Sequence, residues 1–277
     1  MPRTHHIAVW FCSIFCLSLG VVRPSWTQTL EELRAKTWET YSTALSQGKI
    51  PPELLALRTQ LSDRNAAVRT QAVQSLSLIG GPMSALLLYW AMEDSLEGDR
   101  AIRIEAAKGL GDIGGRQALE VLGIGLTDRD ASVRKRVVQA LRWAGTVFAV
   151  PYIQEAVEND RAVDVRLEGV RMLRKIGTQF SIFPLQNALM GDRDMGVRLA
   201  AADALGEVGK KERDVAKYLG QALRQERNAG VKMEIVKSLG LVRDRTGVPY
   251  LQEAMQDRDL TIRLRATEVY GRVLGLQ

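Results

Sequence analysis

Two cysteines and two histidines are all that the 277 residues contain. All four, His5, His6, Cys12 and Cys16, stand near the N-terminus. If that stretch is removed, the chain keeps no disulfide, no thiolate nucleophile, no imidazole base and no His or Cys metal ligand. Most common catalytic constellations are thereby excluded, and no metal, cofactor or catalytic residue is expected. Asp, Glu, Lys and Tyr remain, but they converge nowhere in sequence on an obvious site. Proline is scarce too, at 8 residues. No window alternates polar and apolar residues for long enough to claim a strand. What is abundant is Ala, Leu, Val, Arg and Glu. That composition favours helix, because unbranched side chains lose little rotamer freedom there.

Only one long apolar run exists, "IAVWFCSIFCLSLGVV" at 7–22, preceded by Arg3 and ended by Arg23 and Pro24. As a helix it spans about 24 Å, short of a hydrocarbon core roughly 30 Å thick. Residues 1–27 therefore read as a secretory signal peptide, with Ser18-x-Gly20 or Ser25-x-Thr27 as the cut. The expected location is across the inner membrane, in the periplasm. Membrane attachment follows only if the segment is an uncleaved anchor. Loss of Arg3 and Arg23 lowers the formal charge from +6 to about +4, a mild excess that does not call for nucleic acid.

The rest of the chain repeats itself. "DRDASVRKRVVQALRWAG" (128–145) returns as "DRDMGVRLAAADALGEVG" (192–209) and as "DRDLTIRLRATEVYGRVLG" (257–275). Aligning the Val-Arg pair gives seven copies, centred on Arg69, Arg103, Arg134, Arg166, Arg198, Lys232 and Arg263, spaced 31 to 34 residues apart. Such a period belongs to a solenoid. Seven residues after each basic position stands an apolar one: Leu76, Leu110, Leu141, Leu173, Leu205, Leu239 and Tyr270. Four further on, glycine follows in five copies (Gly80, Gly114, Gly145, Gly177, Gly209), which predicts helix ends capped in the left-handed region. Arg243 and Leu274 stand there in copies six and seven, so those ends should differ. Between copies lies a second amphipathic segment, as in "VPYIQEAVEND" (150–160) and "VPYLQEAMQDRD" (248–259), with proline in the first turn. Each copy is thus helix–turn–helix, and neither helix can bury its apolar face without a neighbour.

Six residues before each basic position stands an acid: Asp63, Glu97, Asp128, Asp160, Asp192, Glu226 and Asp257. The acid falls in the turn between copies and the cation in the following helix. That placement allows charge-assisted bonds to backbone and to the adjacent copy. The row is read as a structural ladder because it recurs in every copy. Asp192 is expected to serve Arg198.

The pattern D-x-x-x-x-[VI]-R-x-x-A-[AV]-x-x-L-G-x-[IV]-G resembles the HEAT repeat, in the short HEAT-like variety found in phycobilisome lyases. The resemblance implies an all-α fold, an α-solenoid in which antiparallel helix pairs wind into a right-handed superhelix, used mainly to bind proteins. It covers 61–277. Residues 28–60 lack the pattern, read as two helices split at Pro51-Pro52, and suit an N-terminal cap.

Other motifs dissolve in this register. "GLGDIG" (109–114) matches a dinucleotide fingerprint, but it ends a helix instead of following a strand. Basic residues in first helices (Arg134, Lys135, Arg136, Arg142, Arg166, Arg171, Arg174, Lys175) form a stripe that could touch phosphate; export and interspersed acids such as Glu168 argue against nucleic acid. On the second helices the family geometry implies a concave solvent stripe. It comprises Tyr89, Trp90 and Glu93; Ile124; Gln154, Glu155 and Glu158; Gln186 and Asn187; Gln221 and Arg224; then Gln252, Glu253 and Gln256. The expected function is a non-enzymatic, exported scaffold that binds a protein or peptide on this face. The alternative is an enzyme or enzyme subunit of lyase or glycosylase type. Trp90 is either a groove hot spot or core beneath the cap.

Overall fold

The computed structural model describes residues 26–93, 99–212 and 214–276. All but the last two residues of the segment read as a signal peptide, and Glu97, lie outside the described residues. Among those described there are fifteen α-helices and no strand, and no helix is long and apolar enough to cross a membrane.

The chain divides into two compact units, Met1–Pro51 and Pro52–Gln277. In the first, α1 (Trp26–Ser46) sets the rings of Trp38 and Tyr41 5.7 Å apart, centroid to centroid. The second unit begins with α2 (Pro52–Leu61) and continues as helix pairs. First helices are α3 (Ala66–Ile79), α5 (Arg100–Ile113), α7 (Ala131–Ala144), α9 (Val163–Ile176), α11 (Met195–Val208), α13 (Ala229–Val242) and α15 (Leu260–Leu274). They alternate with the second helices α4 (Gly81–Glu93), α6 (Gly115–Gly125), α8 (Val150–Asn159), α10 (Ile182–Gly191), α12 (Val215–Gln225) and α14 (Val248–Ala254).

Local chemistry starts each first helix. Asp130 accepts from the Ser132 and Val133 amides, Asp194 from Gly196 and Val197, Asn228 from Val231 and Asp259 from Thr261. Each is an N-cap, worth about 1 kcal/mol. Each follows the ladder acid by two residues, and that acid in turn accepts the cap residue's own amide, as Asp128 does from Asp130 at 2.8 Å. Copy four has Ala162 as its cap residue, with no side-chain bond, yet Asp160 still holds its amide at 2.8 Å.

Helix ends depart from expectation. Of the five glycines, Gly177 alone adopts the left-handed cap, at φ 62° and ψ 26°. Gly80 and Gly114 have positive φ with extended ψ, Gly145 is extended, and Gly209 is right-handed and leads into a short 3-10 turn. Space accounts for the last two. A Cβ on Gly145 would lie 2.9 Å from Leu119 Cδ1, and one on Gly209 would collide with Val215. Copy six makes the left-handed cap with Arg243 (φ 56°), and copy seven makes it one residue late, at Gly275.

The first helices stack in chain order as one layer, each against its predecessor. The second helices form the other layer, with α4 on α6, α8 on α10, α10 on α12 and α12 on α14. Between them lies the leucine row: Leu76, Leu110, Leu141, Leu173 and Leu205 at 0% exposure and Leu239 at 1%. Each contributes roughly 1.5–3 kcal/mol that a lone helix pair could not capture. Tyr270, in copy seven, is half-buried.

Candidate functional site

The ladder connects copies in a direction opposite to the one expected. Arg166 donates Nε to Asp192 Oδ2 at 2.7 Å and Nη2 to Oδ1 at 3.0 Å, while Nη1 reaches the Asp160 carbonyl at 3.0 Å. Arg134 makes the same set with Asp160 (2.7 and 2.9 Å) and the Asp128 carbonyl (2.8 Å). Each guanidinium thus takes a carboxylate from the following copy and only a backbone oxygen from its own. Asp192 therefore serves Arg166, and Arg198 pairs with Glu226 at 2.7 Å. The reason lies in reach: stacking brings the next turn alongside the planar fork, whereas the acid of the same copy offers its carbonyl. Arg103 pairs with Asp128 at 2.7 Å and Lys232 with Asp257 at 2.6 Å. Arg69 engages Asp99, the N-cap of α5. Arg263, in the last copy, bonds the carbonyls of Asp257 and Arg258 and no carboxylate among the described residues.

These bonds set protonation. Arg134, Arg166 and Arg198 lie above the usual guanidinium value, chiefly through the side-chain bonds to Asp160, Asp192 and Glu226. The Asp257 carboxyl is lowered by the Asp259 amide and then by Lys232. Burial pushes Glu226 up, but Arg198 and the amides of Asn228 and Arg227 outweigh it and leave it lowered.

On the second helices the expected stripe separates into three rows. Its leading position is a buried seam in four of the six helices: Tyr89 and Gln154 are 6% exposed, and Gly123 and Gly220 are buried there too. The cause is the next helix. The Tyr152 ring fills the space 2.5 Å from where a Gly123 Cβ would stand, and Tyr250 does the same at Gly220. Burial raises the Tyr152 phenol. Ile124, one residue on, is 2% exposed and belongs to the core. In that middle row Glu155, Asn187 and Gln221 are half-buried. Trp90 is half-buried too, with the Arg58 guanidinium 5.4 Å from its ring centroid. Gln186, in the leading row, is also half-buried, and Gln252 there is exposed.

The third row is open along its length: Glu93, Thr127, Glu158, Met190, Arg224 and Gln256 are all exposed. Several of its groups tie neighbours together. Glu158 Oε1 accepts from Gln154 Nε2 at 2.8 Å and from Asn187 Nδ2 of the next copy at 2.9 Å. Arg224 donates Nε to Glu253 at 2.6 Å, with its guanidinium 4.5 Å over the Tyr250 ring. The result is a pre-ordered polar strip of donors and acceptors. Among the described residues no three His, Cys, Asp or Glu cluster as metal ligands.

The first-helix face holds a feature that sequence reasoning missed. Arg134 and Arg166 leave the basic stripe, being 4% and 3% exposed within the ladder. Of the other cations, Arg136, Arg142 and Lys175 line a groove of about 270 Å³ over α5, α7 and α9, together with Lys108, Trp143 and Glu168. Trp143 is 70% exposed. One signal could have found it. The position nine after the ladder cation reads Leu78, Asp112, Trp143, Lys175 and Glu207, a mixture that marks an outward row.

No curated protein matches the chain. Human deoxyhypusine hydroxylase in complex with glycerol is 17% identical, covering 90% of this chain and 98% of that one, with a TM-score of 0.42. The complex of CpcE and CpcF of phycocyanin lyase from Nostoc sp. PCC7120 is 20% identical over 82% of this chain and 93% of that one, again at 0.42. A designed armadillo repeat protein is 17% identical over 79% and 99%, at 0.37. The HEAT repeat family matches residues 87–168 and 150–228, together more than half of the sequence. With its helix pairs and repeating ladder, the chain belongs to the HEAT repeat family.

Proposed function

We propose that the protein is a non-enzymatic scaffold, exported to the periplasm, that binds a protein or peptide along the concave, second-helix face. The observation that carries this reading is the exposed row from Glu93 to Gln256, held in place by links between copies at Glu158–Asn187 and Arg224–Glu253. Side chains ordered before binding have less freedom to lose, so an extended partner could be read by them at low entropic cost. HEAT repeats commonly serve protein binding, which agrees with that use. A photo-cross-linking residue at position 158 or 256 should capture a discrete protein partner, and capture should fail when Glu253 is changed to Lys. Absence of any cross-linked protein from both positions would overturn the scaffold reading. Export is tested separately: N-terminal sequencing of the periplasmic protein should begin within residues 19–28, and a chain still starting at Met1 would remove the cleaved signal.

A further inference from the structure

The groove on the first-helix face has an unusual electrostatic makeup. Lys108 is engaged by Glu105 of its own helix at 3.2 Å, and Arg142 lies 4.4 Å over the Trp143 ring. Arg136 and Lys175 form no ion pair with any described residue. Other cations on the first-helix side are paired. Arg174 meets Asp203 at 2.7 Å, Lys237 bonds Glu234 at 2.8 Å, and Lys210 bonds Glu207 at 2.7 Å. Arg136 and Lys175 line the same groove as the most exposed tryptophan that the structure describes.

We propose that this groove is a second docking site, which takes an acidic peptide segment carrying one aromatic or aliphatic anchor beside Trp143. Charge complementarity selects the acid: Arg136 and Lys175 await carboxylates. Tryptophan at 70% exposure supplies the apolar contact, of a kind enriched at binding hot spots. A volume near 270 Å³ has room for an anchoring side chain. The lining also contains Asp112 and the buried Glu168, which Arg171 meets at 3.3 Å. Two carboxylates among the cations repel a polyanion with a phosphate at every step. A peptide can set neutral residues opposite them. This site is independent of the second-helix strip, on the other layer of the solenoid.

The test is fluorescence anisotropy on the full chain with three labelled probes: a twelve-residue peptide alternating Glu and Gly around a central Phe, its Gln-for-Glu counterpart, and a single-stranded DNA 12-mer. The acidic peptide should bind at least tenfold tighter than either other probe, with an affinity that falls as salt rises. Binding should weaken at least tenfold in the double variant Arg136→Glu, Lys175→Glu and also in Trp143→Ala, while Glu158→Lys on the second-helix strip leaves it unchanged. Because Trp143 and Lys175 are exposed and none of the three side chains belongs to the ladder, melting curves should stay close to the parent. Equal binding of the Gln peptide, tighter binding of the DNA, or full affinity in both groove variants would overturn the proposal.

Discussion

Arg166–Asp192 and Arg224–Glu253 join the same kinds of group across the same kind of junction, yet they sit in different surroundings. The first pair is 3% and 6% exposed, fixed at both ends by backbone contacts. The second is 52% and 50% exposed, on the second-helix strip. Buried, an ion pair becomes part of the stacking geometry, because a lone member would keep its desolvation cost without compensation. Exposed, it is screened by water, adds little to stability, and stays free to exchange partners. Composition cannot separate the two cases; the layer in which each lies does.

The comparison breaks most visibly at the buried end. Arg166→Ala should leave Asp192 buried without its cation and destabilise the fold by about 3–5 kcal/mol, measured by urea unfolding. A double-mutant cycle sharpens the point. Arg166→Ala and Asp192→Ala should be strongly non-additive, while Arg198→Ala and Asp192→Ala should couple weakly, since Arg198 uses only the Asp192 carbonyl. Strong coupling of Arg198 to Asp192 would restore the pairing read from sequence.

Next comes the seam on the second-helix side. Gly220→Ala places a methyl group where the Tyr250 ring lies, and overpacking of this sort costs about 1–3 kcal/mol. Gly191→Ala, where nothing stands within 4 Å of an added Cβ, is the matched control and should leave the melting temperature unchanged or slightly raised.

A smaller effect follows acidification. The carboxyls of Glu226 and Asp257 are depressed in the folded chain. Their contribution is therefore complete above the unfolded values near 4 and is lost as pH falls through the lower folded values. Hydrogen exchange should show copies five to seven loosening on acidification below about pH 4, and Lys232→Met should blunt that response in copies six and seven. The smallest change is at the exposed pair. Glu253→Ala should leave the melting curve unmoved while removing partner capture, and a stability loss equal to that of Arg166→Ala would erase the distinction between the two environments.

Much was legible from residues alone. The period of 31 to 34, the leucine row and the seven ladder positions fix a helix–turn–helix repeat, because each is a local spacing that one helix face can express. The N-cap at two residues past the ladder acid is equally a local signal, written as D-x-[DN]. Other features were not legible. Gly145 and Gly209 match the cap pattern yet serve close approach to Leu119 and Val215, which belong to other helices. Tyr89, Ile124 and Gln154 share the stripe's register with exposed residues, but burial on that face is decided by the next second helix and by which residue, glycine or tyrosine, it presents.

The sequence by itself determined the repeating unit, its two amphipathic helices and the presence of one acid and one cation per copy. Tertiary structure decided the partner of each cation, the exposed row of each second helix and the opening of a charged groove beside Trp143. The physical reason is range: capping and helical periodicity act within a few residues, whereas carboxylates some 25 to 30 positions away in sequence meet a guanidinium only after two copies have stacked.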